Sequence, residues 1–168
     1  ADFHGTIGNK ETPLVKLPGL AKRLGIGSLL LKDESHRFGL NAFKALGASY
    51  AMYRQIKKNP QIKIFCTATD GNHGRAVAWM ARKLGRKALI YMPQGTVPDR
   101  VRAIEQEGAD VFVIDQAYDI AVKMASTRVD EANKKSGNHF WSLIQDTAWD
   151  GHEEVPLDIM KGYCTQIH

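Results

Sequence analysis

The chain has 168 residues, 43% of them apolar and 24% charged, which is the balance of a globular domain long enough to bury a core. Its net charge of +5 is scattered in small groups such as Lys57-Lys58 and Lys134-Lys135, so no concentrated basic patch points to nucleic acid, while the mild positive balance suits small anionic ligands. No apolar run approaches the ~20 residues of a membrane-crossing helix, no leader pattern opens the sequence, and Cys66 and Cys164 make no disulfide framework. A cytoplasmic protein with Cys66 as a reduced core residue is expected, with no membrane, nucleic-acid or metal partner.

Taken in chain order, Ser28–Lys32 reads as a strand. Ala42–Lys58 reads as a helix, with Phe43, Leu46, Tyr50 and Tyr53 three and four residues apart and Asn41 as its N-cap. Ile62–Thr67 is a strand, followed by TDGNHGR and a helix over Gly74–Leu84 that Gly85 ends. Lys87–Met92 is the next strand, stopped by Pro93. Thr96 and Asp99 predict a capped helix carrying Val101 and Ile104 and closed by Gly108. Asp110–Ile114 is a strand, Ala117–Lys135 a helix, and His139–Ile144 a last short strand. Strand and helix alternate with short connections, which predicts an α/β protein: a parallel sheet with helices on both faces. Ligands of such sheets bind beyond the carboxyl ends of the strands, so the loop after Thr67 is the place for chemistry.

That loop runs Thr69-Asp70-Gly71-Asn72-His73-Gly74-Arg75 from a strand into a helix. Its two glycines let backbone approach a ligand, and the helix start attracts anions. Asn72 offers a donor and an acceptor, and His73 titrates near neutral pH in water. It is neither a dinucleotide fingerprint nor a P-loop. On spacing alone, a binding loop and a capped structural turn fit equally well, and Asp70 alone reads as a turn residue. Lys44 stands in the first turn of a helix, between Phe43 and Leu46. The helix dipole and partial burial both disfavour its ammonium form, and a neutral lysine forms an imine with an aldehyde. Most lysines at helix starts, however, are simply solvated.

Four segments together resemble the 2,3-diaminopropionate ammonia-lyase family: KDESHRFGLNAFKALGA (32–48), TDGNHGRAVAWMARKLG (69–85), YMPQGTVPDRVRAIEQEGADV (91–111) and QDTAWDG (145–151). That family belongs to the fold-type II, tryptophan synthase β-like enzymes that use pyridoxal 5'-phosphate (PLP), with the threonine and serine dehydratases. The resemblance implies that Lys44 is catalytic and holds PLP, that Asn72 bonds the cofactor's phenolic oxygen, and that Gly71 and His73 line its site. It implies Asp70 as the base for the D-substrate and Lys44 as the base for the L-substrate. The implied reaction is α,β-elimination of diaminopropionate to pyruvate and ammonia by a homodimer acting on a small amino acid. Thr69, His73 and Arg75 are weaker candidates for holding the substrate carboxylate.

The resemblance also implies that residues 1–49 begin a larger PLP domain, that 50–160 form a smaller α/β domain, and that 161–168 return toward the first. The family's glycine-rich phosphate loop and its pyridine-nitrogen partner are expected beyond this sequence, so the fold is expected to be incomplete and the chain alone inactive. Two departures stand out: NPQIK is short where relatives carry an insertion, and His152 replaces an expected aromatic residue. The alternatives are a serine or threonine dehydratase and a non-catalytic truncated relative.

Overall fold

The computed structural model describes residues 3–167. His168, the end of the stretch expected to return toward the larger domain, lies outside the described residues. The chain divides into two compact units, residues 1–43 and 44–168.

The first unit holds a short helix α1 (Phe3–Thr6), strand β1 (Leu14–Lys16), helix α2 (Pro18–Leu24), strand β2 (Leu30–Lys32) and a 3-10 segment (Glu34–Gly39). The two strands pair antiparallel, with Leu14 opposite Lys32 and Lys16 opposite Leu30. Pro18 opens α2 where its missing N–H costs nothing, and Gly25 closes it in the left-handed conformation. The unit is pinned by Arg37, which is buried. Arg37 Nε bonds Glu34 at 2.7 Å, and its two terminal nitrogens reach Asn9, the Lys10 carbonyl at 2.7 Å, Thr12 at 3.1 Å and Glu34 again at 2.8 Å. A buried guanidinium is tolerable only when its donors are met in this way.

The second unit contains α3 (Lys44–Lys58), β3 (Ile64–Ala68), α4 (Asn72–Lys83), β4 (Lys87–Pro93), α5 (Pro98–Glu105), β5 (Asp110–Ile114), α6 (Tyr118–Ser136), β6 (Trp141–Leu143) and α7 (Glu154–Tyr163). The strands form one parallel sheet in the order β5-β4-β3-β6. Side chains of β3 and β4 alternate between two covered faces. Cys66 and Ala68 pack with Ala121, Ala125 and Val129 of α6, joined by Leu89 and Tyr91. Ile90 points the other way and meets α4 at Gly74. Both faces are therefore buried, which is why these strands read as continuous apolar runs.

Most elements fall where the periodicity puts them, with shifted ends. Helix α4 starts at Asn72, inside the loop, two residues before its expected start. Helix α3 starts at Lys44, so Asn41 is not its N-cap; Asn41 instead adopts a left-handed φ of 58° upstream. The expected cap of α5 is also corrected. Val97 occupies the N-cap without a side-chain bond, Pro98 opens the helix, and Thr96 Oγ1 donates to the Pro93 carbonyl at 2.8 Å. Proline at the first helical position needs no N–H partner, so the cap has less to do.

Candidate active site

The cleft lies beyond the carboxyl ends of β3 and β6, inside the second unit. It encloses about 230 Å³ and is lined by Lys44 of α3, the 69–73 loop, Arg100 of α5, Tyr118 of α6 and Asp146. Of the residues expected from the sequence, Lys44, Asp70, Gly71, Asn72 and His73 all come together here.

The loop is fixed from within. Thr69 is buried, and its Oγ1 accepts the N–H groups of Gly71 at 3.0 Å and Gly74 at 3.1 Å. A Cβ on Gly74 would stand 2.2 Å from Thr69 Cγ2 and 3.0 Å from Ile90 Cγ2. That glycine therefore serves the packing of helix on strand, and not close approach to a ligand as its position suggests. Asn72 and His73 stand in the first turn of α4, the end of a helix where N–H groups attract anions, and both line the cleft. Arg75 is not in the cleft: its Nε lies 3.5 Å from Glu107 Oε1.

Lys44 Nζ donates to Asp146 Oδ2 at 2.9 Å, and the same oxygen lies 3.7 Å from His73 Nδ1. His73 is buried and its Nε2–H donates to the Ile144 carbonyl at 2.6 Å, which fixes the tautomer as the one with the proton on Nε2. Burial lowers the His73 pKa against the pull of Asp146. For Lys44, burial again opposes the charge, but the Asp146 hydrogen bond and the Tyr163 and Asp146 charges outweigh it, and the pKa is raised. This reverses the expectation from helix dipole and burial alone. Asp146 answers in kind: burial pushes its pKa up, yet the charge of His73 and the hydrogen bond and charge of Lys44 bring it below the ordinary carboxylate value.

Asp146 is held in turn by its neighbour. Gln145 is fully buried; its Oε1 accepts from Thr67 Oγ1 at 3.0 Å and the Ala68 N–H at 2.9 Å, and its Nε2 donates to the Ala68 carbonyl at 3.1 Å and Tyr118 Oη at 3.0 Å. The following turn closes by stacking Trp149 on His152, ring centroids 4.2 Å apart and 19° from parallel. His152 thus fills the place of the expected aromatic residue with its own ring. On the far side of Lys44, Tyr163 of α7 puts its ring centroid 5.8 Å from Nζ.

Asp70 stands on the outer wall, its side chain 77% exposed, with Arg100 Nη1 3.9 Å from Oδ2. Sequence patterns gave no reason to single out Asp146, Arg100, Tyr118 or Tyr163. Asp146 sits in the QDTAWDG segment, but its partner is 102 residues away.

An amine, the Asn72 amide at a helix start and the Arg100 guanidinium line one cleft, groups that suit an aldehyde bearing a ring oxygen. A family model described as "Pyridoxal-phosphate dependent enzyme" matches residues 6–165. The chain belongs to that family. Its members' cofactor is pyridoxal phosphate, and the residues lining the cleft fit it. Diaminopropionate ammonia-lyase of Salmonella typhimurium is 44% identical over 97% of this chain, and that of Escherichia coli K12 is 41% identical over 97%. The crystal structure of the Escherichia coli enzyme in complex with an aminoacrylate-PLP azomethine reaction intermediate superposes over 98% of the chain at 43% identity with a TM-score of 0.87. The fold is therefore that of the fold-type II PLP enzymes. The chain spans 44% of the length of both curated relatives and 44% of that crystallised chain.

Proposed function

We propose that the chain supplies the cofactor-holding lysine and one further acid–base group of a PLP-dependent α,β-elimination. In this reading, diaminopropionate and one water become pyruvate and two ammonia, in a whole protein that works as a cytoplasmic homodimer. The observation that carries the reading is that Lys44 and Asp70 line one cleft from separate elements, α3 and the β3–α4 loop. The identity of 41–44% to enzymes named diaminopropionate ammonia-lyase supports the substrate.

PLP, when bound, draws off the electron pair left at the α-carbon. Lys44 Nζ holds the cofactor and, once released, takes the α-proton of the L-substrate. Asp70 takes it from the D-substrate, because the two hands present that proton on opposite faces. Asp70 also offers a carboxylate to the substrate's second ammonium, a group serine and threonine lack. Asn72 and the neighbouring N–H groups orient the cofactor's ring oxygen, with Gly71 and His73 beside them. Asp146 holds Lys44 Nζ at the cleft and would receive the proton that Nζ must lose before it can act as a free amine. We further propose that residues 1–49 open the larger domain, that 50–160 form the smaller one, and that 161–168 return toward the first, with the phosphate seat in later sequence.

Borohydride reduction of the PLP-loaded whole protein tests the central assignment. The cofactor is expected on the Lys44 peptide and absent after Lys44→Ala; a label elsewhere overturns the assignment. Turnover tests the substrate: diaminopropionate is expected to be preferred, and a clear preference for serine makes the protein a hydroxy-amino-acid dehydratase.

A further inference from the structure

Arg100 is the third residue of α5 and one of the cleft residues for which the sequence suggests no role. Its neighbour Arg102 bonds back to Asp99 within the helix. Arg100 instead crosses to the β3–α4 loop. Nη1 donates to the Asp70 carbonyl at 3.0 Å and stands 3.9 Å from Asp70 Oδ2. Its stem lies over Gly71, where a Cβ would come within 3.3 Å of Cδ and 3.7 Å of Nε.

The two contacts are unequal, and the inequality is informative. A guanidinium serving only as an ion-pair partner would put its short hydrogen bond on the carboxylate. Here the backbone carbonyl takes that bond, and the carboxylate is held only at a distance. The Asp70 main chain is tethered while its oxygens stay available to the cleft.

The loop does not need Arg100 in order to fold. Thr69 Oγ1 already ties the N–H groups of Gly71 and Gly74, and Gly74 is packed against Thr69 and Ile90. Those anchors lie on the buried side. On the outer side, where Asp70 stands, Arg100 provides the bond that fixes the turn.

We propose that Arg100 is the positioning residue of Asp70: its tether from α5 to the Asp70 carbonyl aims the carboxylate into the cleft and thereby sets the ratio at which the two substrate hands are turned over. The inference rests on the reading of Asp70 as the base for the D-substrate. Lys44, on the opposite wall, has its own anchor in Asp146, so losing Arg100 weighs on one hand only.

The test is kcat/KM for D- and L-diaminopropionate in the PLP-loaded whole protein. A charged hydrogen bond at a half-exposed site sets the scale, so Arg100→Ala is expected to lower the D-value about fivefold, mainly through kcat. The L-value is expected to fall less than about twofold on the same scale. Arg100→Lys, which can still donate to the carbonyl, is expected to recover much of the D-value. In an Asp70→Asn background, Arg100→Ala is expected to leave the D-to-L ratio where Asp70→Asn put it. PLP affinity, read from cofactor absorbance during titration, is expected to be unchanged.

Equal loss for both hands, no loss for either, or loss of PLP affinity with activity overturns the proposal. If Asp70→Asn lowers the D-value selectively and Arg100→Ala does not, the Arg100 inference fails alone. If Asp70→Asn leaves the ratio unchanged, the base assignment itself fails and takes the inference with it.

Discussion

The two walls of the cleft are built on different principles. On the inner wall, Lys44 bonds Asp146, whose Oδ2 lies 3.7 Å from His73 Nδ1, and His73 bonds the Ile144 carbonyl just beyond β6. Each member shifts its neighbour's protonation. On the outer wall, Asp70 and Arg100 are largely exposed, joined by one backbone hydrogen bond and one long ion pair. Solvent screens the outer pair, so its strength comes from the tether, while the inner pair acts through electrostatics. On the proposed roles, the inner wall holds the cofactor and the outer wall chooses between the substrate hands.

The largest expected effect breaks the inner wall. Lys44→Ala is expected to lower turnover of both substrate hands by about 10²- to 10⁴-fold, the range for a lost acid–base group, as measured by pyruvate formation. Next comes Asp70→Asn on the outer wall. A drop of about 10²-fold is expected for the D-substrate with little change for the L-substrate. Equal losses would mean that the walls do not divide the labour.

Asp146→Asn sharpens the electrostatic half of the comparison. A folded-state pKa above the ordinary lysine value means that the pair stabilises the fold at pH below that value and is lost as pH rises through the folded pKa. Asp146 is depressed, so its share is present above the ordinary carboxylate value and fades as pH falls through the folded pKa. Removing the carboxylate charge is expected to bring the Lys44 titration down. The pH at which Lys44 begins to react with an amine reagent, followed by peptide mass, reads it directly. A stability loss of about 1–2 kcal/mol in denaturant melts accompanies it, the cost of weakening a part-buried charged hydrogen bond. The smallest effect is a contrast of thiols. Cys66 is buried and its pKa is pushed up to about 12 by burial, whereas Cys164 is exposed. Thiol alkylation at pH 8 is expected to label Cys164 and spare Cys66 until the protein unfolds.

The sheet was legible because β3, β4 and β5 are short apolar runs between helices with clear ends; Asp110–Ile114 coincides with its expected bounds. Helix α3 was legible as a helix but not in its packing. Its expected stripe was Phe43, Leu46, Tyr50 and Tyr53, whereas Phe43 is exposed before the helix and much of the buried face is Ala45, Gly47, Ala48, Ser49 and Ala51. Small residues carry little apolar signal, yet they let another helix come near. No expectation covered α7, and α3 cannot be understood without it. At the site, the loop residues were legible because chemistry and turn signals coincide in TDGNHGR. Asp146 and Arg100 were not, since an aspartate after a strand and an arginine in a helix look ordinary until folding brings them to Lys44 and Asp70.

The glycines between α3 and α7 have a mechanical consequence. A Cβ on Gly47 would stand 2.4 Å from the Tyr163 ring, and one on Gly162 would stand 2.5 Å from the Leu46 carbonyl. The two helices touch with no slack, and Gly47 lies one turn from Lys44. A side chain at either position would have to push α3 and α7 apart, so these two glycines set the distance at which Tyr163 stands from Lys44.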